Sequence, residues 1–131
     1  MKTTSTLIAA ITVALFSGHA MALTKAEYEA GKDRVKAEYK ADKEACKPHS
    51  GNAKDVCEEQ AKGKEKIAKA ELEAQYKPTP RNQEKARVAK ADAAFDIAKE
   101  KCDDLNGDPK QACEKDAKAV HESALKAARA K

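Results

Sequence analysis

The chain has 131 residues, 26 of them Lys or Arg against 22 Asp or Glu, with a net charge of +4 and only 4% aromatic residues. Charges so numerous and so nearly cancelling exclude strong long-range steering of a polyanion. Beyond residue 22 only 11 of 109 residues are Leu, Ile, Val or Phe, which leaves too little apolar surface for a broad core or for a water-excluding catalytic pocket.

The start reads as an export leader. Lys2 supplies a positive charge, residues 7–16 (LIAAITVALF) form an uncharged run, and Ala20-Met21-Ala22 gives a small-x-small cleavage pattern. Residues 1–22 are therefore expected to be a signal peptide cut after Ala22. The run is too short to span a bilayer, which takes roughly 20 apolar residues. Removing Lys2 with the leader leaves 25 basic against 22 acidic residues, a net +3. The short leader points to a bacterial periplasm, an oxidising compartment in which the four cysteines would pair.

The mature part is rich in Ala, Lys and Glu, a mixture of high helix propensity with little to bury. Thr24-Lys25-Ala26-Glu27 reads as a capping box that opens a first helix running to about Cys46, where Lys47-Pro48 stops it. Ser50-Gly51-Asn52 forms a turn, with Asn52 expected to cap a second helix ending near Tyr76. Thr79 caps the third, with Pro80 at its first position, where no amide is missed. Leu105-Asn106-Gly107 ends that helix, and Asp108-Pro109 repeats the cap-then-proline device for a fourth.

Each helix carries a thin apolar stripe: Tyr28, Val35, Tyr39 and Cys46; then Cys57, Ala61, Ala68, Leu72 and Tyr76; then Val88, Phe95 and Cys102; then Cys113, Ala117, Val120, Ala124 and Ala127. Stripes this narrow suit helices that meet along a seam. Five Glu-to-Lys pairs four apart (Glu58/Lys62, Glu65/Lys69, Glu73/Lys77, Glu114/Lys118 and Glu122/Lys126) decorate the exposed faces, each contributing a few tenths of a kcal/mol. Gly63 sits mid-helix, at a cost of about 1 kcal/mol relative to alanine.

Two cysteine pairs, Cys46/Cys57 and Cys102/Cys113, repeat at an offset of 56, and the surrounding residues repeat with them. Lys43-Glu44 matches Lys99-Glu100, Gly51 matches Gly107, Cys57-Glu58 matches Cys113-Glu114, and Tyr39 stands where Phe95 stands in the second copy. The chain is a tandem duplication, with hairpin repeats at 23–77 and 78–131. Each cysteine pair brackets a turn. Duplication implies that each unit closes on itself, so Cys46–Cys57 and Cys102–Cys113 are the expected bridges. The fold class expected is all-α, two disulfide-clipped helical hairpins forming a loose four-helix bundle or an elongated pair.

The rival chemistries are weak. Zinc would want closer cysteine spacing, and His49 is the only histidine nearby; a redox pair would want Cys-x-x-Cys. Cysteine pairs riding a single helix are ruled out by Pro48, Gly51, Gly107 and Pro109. Asp103, Asp104, Asn106 and Asp108 around Gly107 sketch a calcium loop, but its first and last ligand positions would fall on Cys102 and Cys113, which offer no oxygen. His49 is assigned to a turn and His121 to a polar helix face, and neither has a nucleophile at a meaningful spacing. The basic stretches 62–66 and 81–87 are interleaved with acids. No catalytic, cofactor or metal residue is expected, and no specific nucleic-acid partner.

The strings Ser50-Gly51-Asn52-Ala53-Lys54-Asp55-Val56-Cys57, Gly63-Lys64-Glu65-Lys66 with Ala70-Glu71-Leu72-Glu73-Ala74, and Ala98-Lys99-Glu100-Lys101-Cys102-Asp103-Asp104-Leu105 carry a resemblance. They are similar to a group of small exported beta-proteobacterial proteins, sometimes labelled cell envelope biogenesis protein TolA. The second turn departs from the pattern, with Asn106-Gly107-Asp108-Pro109 where a closer copy would read Ser-Gly-Asn-Ala. The group brings no catalytic residues. The function expected is a non-enzymatic periplasmic helical protein that acts through helix contacts with an envelope protein or with itself. The alternative is weak contact of lysine-rich faces with a polyanion or an anionic membrane surface.

Overall fold

The computed structural model describes residues 22–130, so the expected leader lies outside it except for Ala22. Four helices follow one another: α1 (Lys25–Ala45), α2 (Gly51–Tyr76), α3 (Pro80–Cys102) and α4 (Gly107–Arg129). No strand occurs among the described residues. The all-α class read from the Ala/Lys/Glu composition holds, and both expected disulfides are present, Cys46–Cys57 and Cys102–Cys113.

Two of the four helix starts follow the capping expected of them. The Glu27 amide donates to Thr24 Oγ1 at 3.2 Å, and the Thr24 amide donates back to Glu27 Oε2 at 2.8 Å. That backbone donor holds the Glu27 carboxyl below its ordinary value. At α3 the Thr79 hydroxyl accepts from the Asn82 amide at 3.2 Å, with Pro80 in the first turn.

The other two starts differ from expectation. Asn52 and Asp108 do not act as caps; α2 and α4 begin earlier, behind Ser50 and Asn106, and neither of those makes a side-chain cap bond. Asn52 Nδ2 is left buried without a hydrogen-bond partner. The physical reason is the tightness of the clipped turn. Gly51 and Gly107 take φ of 57° and 62°, which reverses the chain at the residue where the helix starts, so Asn52 and Asp108 already lie inside the first turn. An L-residue there costs roughly 1–2 kcal/mol. A methyl group at either glycine would meet nothing within 4 Å, so backbone strain alone acts. Gly51→Ala and Gly107→Ala are each expected to lower unfolding free energy by about 1 kcal/mol, read from urea midpoints at unchanged slope. Unshifted midpoints would mean the left-handed turn is dispensable.

Packing is strictly sequential. Among the described residues α1 packs on α2, α2 on α3 and α3 on α4; the α2–α3 seam is the most extensive, and nothing brings α4 back to α1. The hairpins lie side by side in an open row, not in a bundle closed around a shared centre. The buried apolar residues are Val35, Cys46, Cys102 and alanines at 61, 86, 89, 91, 93 and 128. A seam of methyl groups lets helices approach closely but buries little area per residue.

The fourth stripe is corrected. Val120 is 68% exposed and Ala127 is exposed. The side of α4 turned to α3 runs instead through Cys113, Ala117, His121, Ala124 and Ala128, all at least half-buried. Helix α4 has a single neighbour, so only one narrow strip of it is covered. Of the five Glu-to-Lys pairs, Glu65–Lys69 closes at 2.6 Å and Glu73–Lys77 at 4.0 Å, while Lys62 turns back to Glu59 at 2.9 Å.

Candidate interaction surfaces

The four cysteines that sequence reasoning singled out form two separate covalent clips, each at the tip of its own hairpin. In both, the first sulfur lies deep: Cys46 is 1% exposed and Cys102 0%, while Cys57 and Cys113 are half-buried. These are structural bridges sealed into the seam. Two disulfides mark a non-cytoplasmic environment, and no described helix is long and apolar enough to cross a membrane. Among the described residues no three His, Cys, Asp or Glu side chains come together to hold a metal ion.

The second cluster was missed in the sequence. His121 faces α3 rather than solvent: its ring stacks on Phe95 with centroids 4.5 Å apart, and its Nε2 lies 2.8 Å from Asp92 Oδ1. An ionised carboxylate can only accept, so Nε2 carries the proton. Asp92 also meets Lys66 of α2 at 3.3 Å, and Asp96 meets the same ammonium at 3.7 Å. One aspartate thus ties α2, α3 and α4 across the junction of the two hairpins. Register from Cys113 does not single it out: eight residues place His121 about 80° round the helix, whereas Val120 at seven lies about 20° off.

Burial raises the Asp92 carboxyl, but the hydrogen bonds from His121 and Lys66 outweigh it and hold the group below its ordinary value. A depressed folded value stabilises above the unfolded one, and the contribution is lost as pH falls through the carboxylate range. Asp92→Asn is expected to cost about 1 kcal/mol at neutral pH. It should also flatten the acid limb of the stability profile below about pH 4. Thermal melts of both proteins between pH 7 and about pH 2 check this; parallel acid limbs would show that Asp92 carries no net bond energy.

The third feature is a lysine face on α1. Lys25, Lys32, Lys36, Lys40 and Lys43 fall within an arc of about 80° at 100° per residue, beside the Tyr28 and Tyr39 edge. Tyr28 stacks on Tyr76 at 4.3 Å and donates its hydroxyl to Glu73 Oε2 at 2.6 Å, which pins α1 to α2. That hydrogen bond raises the Tyr28 phenol above its ordinary value. A groove there is lined by Tyr28, Lys32, Lys36, Lys69 and Leu72, and its 220 Å³ is below the roughly 300–1,000 Å³ of ligand pockets. Glu29 pairs with Lys32 at 2.7 Å and Asp33 with Lys36 at 3.6 Å, whereas Lys40 has no ion-pair partner among the described residues.

The basic stretch 62–66 and Arg87 of the second stretch are engaged within the fold, whereas Arg81 and Lys85 are exposed. Lys62 binds Glu59, Lys64 binds Asp42 at 3.1 Å, Lys66 binds Asp92, and Arg87 Nε donates to the Ala128 carbonyl at 2.8 Å.

No protein-family model matches the chain, and no curated protein or solved structure matches it significantly.

Proposed function

We propose that this is a non-enzymatic, exported cell-envelope protein that acts by lateral contact along its helices with an envelope protein or with itself. The observation that carries the reading is the open row: α1 and α4 each pack on one neighbour only, and their outer faces remain available. Val120, 68% exposed, stands on the free side of α4. The leader expected at residues 1–22 and the two disulfides support a periplasmic home. Photo-crosslinking residues placed at Val120 and at Ala37 in living cells test the reading. Discrete adducts from either edge are expected; irradiation that captures neither another protein nor a second copy counts against it.

The lysine face of α1 favours a second reading, contact with a polyanion or anionic membrane surface. Exposed charges separated by more than a Debye length are screened, about 8 Å at physiological salt. Cosedimentation with anionic vesicles should therefore occur at low ionic strength, fade with added salt, and weaken on Lys36→Glu. A protein that stays in the supernatant at low salt ends this alternative.

A further inference from the structure

The repeat offset makes the α2–α3 seam a template for the two open edges. Adding 56 to α2 positions leads to α4, and subtracting 56 from α3 positions leads to α1. The outer face of α4 thus corresponds to the α2 face that receives α3, and the outer face of α1 to the α3 face that receives α2. We infer that a second copy of this chain docks there, with α1 of one copy lying along α4 of the next as α3 lies along α2 within each chain. This rests on the contact-driven role proposed above and names its partner.

Charge carries the inference. Within the chain Lys66 of α2 meets Asp92 and Asp96 of α3 at 3.3 and 3.7 Å. The corresponding residues are Glu122 on α4, with Lys36 and Lys40 on α1. Every sign is inverted, so the attraction is preserved. Glu122 and Lys40 are exposed, and neither has an ion-pair partner among the described residues. A second inversion sits about two turns away. Glu73 of α2 and Lys85 of α3 line one groove at the seam; their counterparts are Arg129 on α4 and Glu29 on α1. Glu122 and Arg129 already line an open depression on α4, which is the same groove lacking the helix that would close it. Glu73 itself bonds Tyr28, and Glu29 pairs with Lys32, so the second inversion is one of groove lining. A merely solvated surface gives no reason for both sides of the Lys66 pair to change sign together.

The shapes are compatible as well. A methyl group at Gly63 would lie 3.1 Å from Ala93 Cβ and 3.5 Å from Ile97 Cδ1. The counterparts are Ala119 on α4, with Ala37 and Ala41 on α1, all exposed. Ala119 adds that methyl, Ala41 removes the isoleucine branch, and only Ala37 must yield by a few tenths of an ångström. Three differences make the junction weaker than its template. The Lys90–Glu71 pair at 2.6 Å becomes Arg34 opposite Ala127, Ile67 becomes Ser123, and no tether like Lys77-Pro78-Thr79 joins the helices. At the tip end the template groove is lined by Glu59, Asp96, Glu100 and Asp103 with Lys99; its counterpart is lysine-rich, so like charges crowd there in both. The contact joins different surfaces of identical chains, so it propagates head to tail.

Sedimentation velocity of the purified mature protein at low salt, from roughly 10 μM to roughly 1 mM, tests this. Reversible, salt-sensitive growth in size is expected. E122K, and separately the double variant K36E/K40E, should each weaken association about tenfold or more, with far-UV circular dichroism unchanged. An equimolar mixture of the two variants should regain it, because each altered edge again meets its opposite sign. A parent that remains monomeric at about 1 mM, variants that associate as the parent does, or a mixture no better than its components each overturns the proposal. If the parent is monomeric yet Val120 still crosslinks to a different envelope protein in cells, the partner assigned here is wrong and the contact-driven role stands. Failure of both ends both.

Discussion

Reduction of both disulfides is expected to unfold this protein at or near room temperature while leaving residual helix behind. Each bridge closes a loop with a sequence separation of 11, worth about 3 kcal/mol in the chain-entropy account. Two bridges together approach the 5–15 kcal/mol that holds a typical domain folded, and this interior is poorer than typical. Its buried side chains are alanines, two cysteines and one valine, and an alanine methyl contributes far less than the 1.5–3 kcal/mol of a fully buried larger aliphatic side chain. Each clip ties an edge helix to an inner one. Helix α1 touches only α2, so removing Cys46–Cys57 leaves it held by the Val35 strip, the Tyr28–Tyr76 stack and the Tyr28–Glu73 bond. Among the described residues helix α4 likewise touches only α3, so removing Cys102–Cys113 loosens the opposite edge, while α3 keeps α2 as a neighbour in either case.

Cys46→Ala/Cys57→Ala should accordingly lower the melting temperature by roughly 10–20 °C and strip amide protection from α1 before α3. Circular dichroism melts with and without reductant, and hydrogen exchange resolved by helix, measure these effects. A melting curve that ignores reductant would mean the seams alone hold the four rods.

The sequence carried the fold at the level of helices and clips because those features are local or repeated. Thr24 with Glu27 and Thr79 with Pro80 are short-range capping chemistry, and each duplicated cysteine pair names its own partner. What was illegible depended on how many neighbours each helix has. Val120 and Ala127 sit on helical spacing with Cys113, as would be expected of a covered stripe, but α4 has one neighbour and its covered strip passes through His121 instead. Asn52 and Asp108 look like caps by residue type, yet Gly51 and Gly107 in the left-handed region start the helices first. The lysine face of α1 was legible in principle, as spacing of seven, four, four and three from Lys25, and was obscured by the denser charge runs at 62–66 and 81–87. Lys62, Lys64, Lys66 and Arg87 of those runs are engaged with other residues of the chain. The edge-to-edge complementarity could not be read before the α2–α3 seam revealed which repeated positions face each other.

Ala93→Leu is expected to uncouple the two hairpins without melting either. Ala93 is 1% exposed and faces Gly63 of α2, where even one added methyl would come within 3.1 Å of its Cβ. Both contacting atoms belong to the backbone or sit one bond from it, so no side chain can rotate away and the helices themselves must separate. Overpacking of this kind costs about 1–3 kcal/mol, and leucine in place of alanine brings no gain in helix propensity to offset it. Separation would also stretch the Lys66–Asp92 and Lys90–Glu71 pairs that lace the same seam. Beyond those contacts the hairpins share only the connection at residues 77–79, whereas each hairpin keeps its own disulfide. Urea unfolding should therefore change from one steep transition to a broader one of lower slope, since less surface is exposed in each step, with helical content in water almost unchanged. Gly63→Ala offers the contrast: its propensity gain of about 1 kcal/mol works against the same 3.1 Å crowding, and its midpoint should barely move. A single transition for Ala93→Leu at the parent's midpoint would mean that the α2–α3 seam does not couple the hairpins, and the template for edge-to-edge docking would fall with it.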